Sequence, residues 1–138
     1  VSPQASVGWF METVLVVDDN RESVEVLGDP LEREGYAILR AQSAKEAEAL
    51  SKLHVGPIDL LITDAALRGA TGQALADRLI ASRPGMQILY VSGYSSVHLI
   101  TDGELRWDAP FLQKPFPAPI FLKTVRQLLD GQAVMKAA

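Results

Sequence analysis

The chain has 138 residues, 48% of them hydrophobic and 22% charged, with a net charge of −4 and no cysteine. That balance suits one domain with a real core and excludes a chain disordered throughout. It also excludes disulfides, thiolate metal sites and cysteine nucleophiles, and it offers no basic footprint for nucleic acid.

Val1–Met11 reads as a leader or linker, small and polar up to Gly8 and then carrying Trp9 and Phe10. It lacks the basic start and apolar stretch of a signal peptide. Residues 12–130 read as the folded domain and 131–138 as a short tail. The apolar runs, such as Val14–Val17 and Leu60–Ile62, fall far short of the roughly 20 residues that cross a bilayer. The expected setting is therefore soluble and cytoplasmic, with no membrane or nucleic-acid partner.

Thr13–Val17 is a non-alternating β-branched run, the pattern of a strand buried on both faces, and it ends in Asp18-Asp19-Asn20. Arg21–Glu34 has helical spacing, with Val24, Leu27 and Leu31 on one face and Gly35 as a stop. Gly28-Asp29-Pro30 inside it predicts a kink, or a restart with Asp29 as cap. Tyr36–Ala41 reads as a second strand. Ser43 and Glu46 form a capping box opening the helix Ala44–Leu53. Ile58–Thr63 is a third strand running into Asp64, and Gly72–Ser82 the next helix. Met86–Val91 is a fourth strand, ending at Ser92-Gly93. Ser95–Leu105 is a weak helix interrupted by Gly103. Phe111–Gln113 is a short fifth strand ending at Lys114-Pro115, and Pro119–Leu129 the last helix.

Five strand-then-helix units with right-handed crossovers give an α/β domain, a doubly wound parallel sheet with helices on both faces. The ligand site of such a sheet lies beyond the carboxyl ends of its strands. Those ends carry Asp18, Asp19, Asp64, Ser92 and Lys114. Three carboxylates gathered at one edge repel one another, and a hard divalent cation such as Mg²⁺ resolves the conflict. Asp64 is then placed as a nucleophile toward a phosphoryl donor, with Lys114 neutralising charge and the Ser92 hydroxyl bonding a phosphoryl oxygen. Taken singly, each of these residues is more simply a turn former, cap or loop residue. Their coincidence at strand ends carries the reading.

Val14-Leu15-Val16-Val17-Asp18-Asp19-Asn20, Leu60-Leu61-Ile62-Thr63-Asp64, Val91-Ser92-Gly93-Tyr94 and Leu112-Gln113-Lys114-Pro115-Phe116 resemble the four signature blocks of the response-regulator receiver family. The resemblance runs from about Glu12 to Asp130. It implies a flavodoxin-like sheet of strand order 2-1-3-4-5 and a phosphoacceptor role for Asp64. It implies Mg²⁺ held directly by Asp19 and Asp64, through water by Asp18, and by the Ala66 backbone carbonyl. It further implies a cis Lys114-Pro115 peptide and a switch pair, Ser92 and Phe111, that shifts the surface of the fourth helix, fifth strand and fifth helix. The implied partner is a histidine kinase or histidine phosphotransfer protein, and homodimerisation stays open. The implied chemistry is the domain's own aspartyl phosphorylation and dephosphorylation, not turnover of a separate substrate. The Ser92-Gly93-Tyr94 block and the residues ahead of Met11 resemble receivers of hybrid histidine kinases.

Leu67-Arg68 stand where the family usually has Met-Pro, which puts the rigidity of that loop in doubt. Arg68 adds a cation near the pocket mouth, more simply a solvated charge than a guide for an anionic donor. Gly72, eight residues after Asp64, is retained, and Phe111 replaces the commoner Tyr. One alternative is a degenerate receiver that only binds partners, although no acid or lysine is missing. An aspartyl phosphatase needs a second acid two residues after its nucleophile, where Ala66 stands. A nucleotide-binding fold needs a glycine-rich turn where Asp18-Asp19-Asn20 stands. His54 and His98 form no metal-ligand spacing.

Overall fold

The computed structural model describes residues 11–134, 136 and 137. The leader reading thus lies, Met11 apart, outside the described residues. Strand β1 (Thr13–Val17) is followed by helix α1 (Arg21–Arg33), β2 (Ala37–Ala41), α2 (Ala44–Leu53) and β3 (Leu60–Asp64). A two-stranded hairpin, β4 (Ala66–Leu67) and β5 (Ala70–Thr71), leads into α3 (Gly72–Ser82). Then come β6 (Gln87–Ser92), α4 (Ser96–Thr101), β7 (Phe111–Gln113) and α5 (Ala118–Leu129). The five long strands pair in the order β2-β1-β3-β6-β7, all parallel. With the hairpin set aside this is the expected 2-1-3-4-5 order of a flavodoxin-like sheet.

Each face of the sheet buries its own apolar cluster. Val14, Val16, Leu60, Ile62, Leu89 and Leu112 meet α1 and α5, while Leu15, Val17, Leu61, Tyr90 and Phe111 meet α2, α3 and α4. Every residue of β1 is buried, which is why its sequence does not alternate.

The helix starts follow the polar residues ahead of them. Asn20, Ser43, Thr71 and Ser95 each accept a backbone N–H from the first turn of α1, α2, α3 and α4. The Ser43–Glu46 box is slightly displaced, since Glu46 Oε1 takes the Gln42 N–H at 2.6 Å.

Three expectations need correction. Of the two alternatives at Pro30 the restart is overturned: one helix, α1, runs on past Asp29 and Pro30. The carbonyl that Pro30 leaves without a donor belongs to Val26, a residue 70% exposed, so water can reach that turn. Gly103 ends α4 and does not interrupt it. The Gly103 N–H bonds the Ile100 carbonyl and the Glu104 N–H the Leu99 carbonyl, the Schellman pattern that stops a helix. Two residues of the expected 131–138 tail, Lys136 and Ala137, pack on the fold. The Ala137 N–H bonds the Ala109 carbonyl at 2.8 Å, Lys136 bridges Pro110, and Ala137 is buried in the cluster that holds Phe111. Among the described residues no helix is long and apolar enough to cross a membrane.

Candidate phosphoryl-acceptor site

The parallel register brings the predicted residues to one edge. β1 lies beside β3, and β3 beside β6, so Asp18, Asp64 and Ser92 leave the sheet close together. Lys114 follows β7, and its N–H bonds the Ser92 carbonyl at 2.7 Å. Its side chain then reaches back across the strand ends. The Lys114 ammonium donates to Asp18 Oδ2 at 2.7 Å and to Asp64 Oδ2 at 3.1 Å. Residues 96 and 50 positions apart in sequence thus meet at one nitrogen.

Every remaining oxygen of these two acids has a donor as well. Asp18 Oδ1 accepts the Asn20 N–H, and Asp64 Oδ1 accepts the Ala66 N–H at 2.8 Å. Asp18 is almost fully buried, and the Asp64 side chain is 14% exposed. Burial pushes the Asp64 carboxyl above its usual range; the Ala66 hydrogen bond and Lys114 oppose this, and the Asp18 charge adds to it. Burial also works against the charge on Lys114. The Asp18 hydrogen bond and the two neighbouring carboxylates outweigh it and hold the ammonium above its ordinary value.

The expectation of three mutually repelling carboxylates is corrected by this geometry. Among the described residues no group of three or more acidic, histidine or cysteine side chains forms a ready-made metal cage. Lys114 stands between Asp18 and Asp64 and answers their repulsion. The Asp19 side chain is 31% exposed, and its cationic neighbour is Arg68, with Nε 4.0 Å from its Oδ2.

The donor set still suits a hard cation. Mg²⁺ takes one or two carboxylates and keeps several waters, so Asp19 and Asp64 with a backbone oxygen suffice. The hairpin supplies that oxygen. Gly72 N–H bonds the Ala65 carbonyl, and Ala66 pairs with Thr71 in the next, non-bonded position. The main-chain groups of Ala66 therefore turn away from the hairpin partner. Its N–H goes to Asp64, which leaves its carbonyl on the same side as that carboxylate.

The hairpin also answers the question of loop rigidity. Arg68-Gly69 is its two-residue turn, Gly69 has φ +70°, and Leu67 is buried beneath it. Pairing restrains the loop where a proline otherwise would. Gly72 is required at its foot, because a Cβ there would run into the Asp64 carbonyl oxygen and the Thr63 side chain.

The two residues expected to form the switch pair are both interior. Ser92 is 1% exposed, and its Oγ accepts the Tyr94 N–H at 3.1 Å. Phe111 is 5% exposed, and its strand neighbour across the sheet is Tyr90. Tyr94 is turned outward and stacks on His98 with ring centroids 5.2 Å apart. The Lys114–Pro115 peptide is cis, as the resemblance implies.

The pattern of the family described as response regulator receiver domain matches residues 14–126. The chain belongs to the response regulator receiver family. It is 28% identical to the response regulator receiver protein CpdR of Brucella abortus (strain 2308), over 86% of this chain and 98% of that relative. It is also 28% identical to the sensor kinase CckA of the same organism, but there it spans only 13% of the relative's length. Among solved structures, a CheY-like receiver from Methanospirillum hungatei JF-1 superposes with TM-score 0.73 at 28% identity, over 88% of this chain and 96% of that one. A Burkholderia pseudomallei response regulator, solved with a phosphorylated aspartic acid, a calcium ion and citrate, superposes with TM-score 0.66 at 28% identity, over 86% of this chain and 66% of that one.

Two features of the receiver escaped sequence reasoning. A cleft of about 500 Å³ between α1 and the start of α5 opens beside the acidic site, and Asn20 and Lys114 line both. Its apolar wall includes Val26, Leu27, Phe116 and Phe121. Only Val26, an apolar residue off the buried stripe of α1, hinted at it. The second is Arg106, whose guanidinium holds both oxygens of Asp77 on α3, while its N–H bonds Gln73 Oε1 at 2.7 Å. Pairs about 30 positions apart leave no local sequence signal.

Proposed function

We propose that this receiver takes a phosphoryl group onto Asp64 from a phosphohistidine of a histidine kinase or phosphotransfer protein, and passes the change to its α4–β7–α5 surface. The observation that carries the reading is the Lys114 ammonium hydrogen-bonded to both Asp18 and Asp64 at the carboxyl edge of the sheet. A Burkholderia pseudomallei relative solved with a phosphorylated aspartic acid supports it.

In the proposed step Asp64 Oδ attacks phosphorus in line, the phosphorus–nitrogen bond to the donor imidazole breaks, and the imidazole leaves with that electron pair and takes up a proton. Lys114 can follow the arriving charge, because it already bonds Asp64 and gains a phosphoryl oxygen without leaving its seat. A divalent cation, Mg²⁺ by its preference for few carboxylates and waters, would be held by Asp19, Asp64 and the Ala66 carbonyl, with Asp18 acting through water, and would neutralise phosphoryl charge. No separate substrate is turned over. The cleft between α1 and α5 suits a helix of the donor protein, since it is apolar and shares Asn20 and Lys114 with the site.

The new phosphoryl group brings roughly −1.5 to −2 charges. Ser92 Oγ, which accepts the Tyr94 N–H, can donate its own O–H to a phosphoryl oxygen, drawing in the β6–α4 loop. Phe111 is already buried, so its rotation trades one interior seat for another and moves α4 with it.

Incubation with Mg²⁺ and acetyl phosphate should add one phosphoryl group by intact mass. Asp64→Asn should lower labelling at least about 100-fold, as loss of a nucleophile does, and chelation of the cation should do likewise. An unlabelled wild-type protein under every donor tried would instead favour a receiver that only binds partners.

A further inference from the structure

The three acids of the site are served unequally. Lys114 bonds Asp18 and Asp64 but leaves Asp19, whose one cationic neighbour among the described residues is Arg68, with Nε 4.0 Å from Oδ2. Arg68 is not a stray surface charge on a loose loop. It occupies the first position of the two-residue turn closing the β4–β5 hairpin, whose strand residue Leu67 is buried and whose base bonds Ala65 to Gly72. The backbone therefore fixes where the guanidinium begins, while the side chain, 91% exposed, is free to swing over the mouth.

We propose that Arg68 is a positioning residue for the phosphoryl-transfer site, a counter-charge to Asp19 that yields to the divalent cation and then attracts the anionic phosphoryl donor. This role rests on the phosphoacceptor reading of Asp64.

The charges set its direction. Counted formally, the three carboxylates of Asp18, Asp19 and Asp64 against the Lys114 ammonium give the pocket a charge of about −2. That repels a phosphoryl donor. A divalent cation brings the pocket only to neutrality, whereas Arg68 at the mouth makes the approach attractive. The same guanidinium must be displaced from Asp19 when the cation arrives, so it weakens cation binding. Exposed charges act through water, and both effects are modest and screened by salt.

The test compares wild type with Arg68→Gln, Arg68→Lys and Arg78→Gln. Arg78 pairs with Glu48 on the α2–α3 side, and its loss controls for net charge. Mg²⁺ affinity is measured by calorimetric titration without donor. Labelling at saturating Mg²⁺ is followed by mass with acetyl phosphate, a dianion, and with phosphoramidate, which carries less charge. Arg68→Gln should bind Mg²⁺ about twofold to threefold tighter and label about threefold to fivefold more slowly with acetyl phosphate at low salt, magnitudes of a screened surface charge. The deficit should be smaller with phosphoramidate and vanish near 1 M salt, where the Debye length falls to about 3 Å. Arg68→Lys and Arg78→Gln should both track wild type.

The role is overturned if Arg68→Gln matches wild type in Mg²⁺ affinity and in labelling, or if Arg78→Gln shifts both by as much. A wild-type protein that neither binds Mg²⁺ nor gains a phosphoryl group overturns the phosphoacceptor reading, and this role with it.

Discussion

The centre of the sheet and its far edge are built to different standards. β1 and β3 are each five residues long, flanked by strands on both sides, and almost wholly buried. They carry or lead into Asp18, Asp19 and Asp64, the residues on which the proposed chemistry depends. β7 is three residues long at the edge, and the six-residue α4 beside it buries Leu99 alone. They carry or adjoin Ser92, Phe111 and Lys114, the residues proposed to answer that chemistry. A site that must hold a carboxylate still while its surroundings respond is served by that division, because cooperative opening is easiest where few apolar contacts hold an element.

The largest effect that tests this difference comes from two truncations of fully buried side chains. Ile62 in β3 and Leu99 in α4 are both 0% exposed. Ile62→Ala should cost about 4 kcal/mol, since sheet neighbours on both sides cannot close the cavity. Leu99→Ala should cost about 2–3 kcal/mol, because a six-residue helix ended at Gly103 can settle into the space. Urea midpoints at constant slope give both numbers. Amide exchange should add that Leu99→Ala loses protection mainly within 96–101. Equal costs, or loss of protection spread over β1 and β3, would mean that the edge is as firmly held as the centre.

The same division governs how much was legible in the sequence. The central strands announced themselves because burial on both faces leaves an unbroken apolar run, and their acids follow directly. The edge was harder. Ser95–Leu105 has helical composition, but Gly103 and the carbonyls of Leu99 and Ile100 end α4 at Thr101, a decision made by local capping. The β4–β5 hairpin is too short for periodicity to show, although it replaces the missing proline. Lys136 and Ala137 read as a tail because a small, weakly apolar segment gains its place only from a finished sheet edge. That Asp18, Asp64 and Lys114 meet at one edge was readable from their strand-end positions. Their charge arrangement was not, since Lys114 chooses Asp18 and Asp64 over Asp19 only through the register of strands far apart in sequence.

A smaller effect marks where the two regions meet. Tyr90 lies on β6, between β3 and β7, and is 4% exposed. Burial pushes its phenol up to about 12, with Asp77 adding to the shift and Arg106 opposing it. The folded state thus keeps a proton that the unfolded chain releases near pH 10. Stability on this account is level below about pH 10 and falls as pH rises from there toward about 12, by up to about 1.4 kcal/mol per unit. Tyr90→Phe, which keeps the ring, should remove about 2 kcal/mol of that alkaline loss, read as the difference in unfolding free energy between about pH 9 and about pH 12. A loss unchanged in the variant would place this ring in contact with water, and the boundary of the firm region one strand nearer β3.

The smallest effect concerns the tie across that boundary. Arg106, in the connection between α4 and β7, holds Asp77 of α3 at 3.0 and 3.1 Å, with both side chains about half exposed. Good geometry argues for a staple; exposure argues against one, because a solvated pair gives back most of its attraction in lost hydration and side-chain freedom. A double-mutant cycle of Arg106→Ala and Asp77→Ala should therefore return about 0.5 kcal/mol of coupling, falling further in salt. The backbone bond from Arg106 N–H to Gln73 survives both changes, so exchange in the 102–109 connection should quicken only slightly. A coupling above about 2 kcal/mol, beyond the range of exposed pairs, would mean that α3 grips the edge. The responsive part of the receiver would then have to break an ion pair before α4 could move.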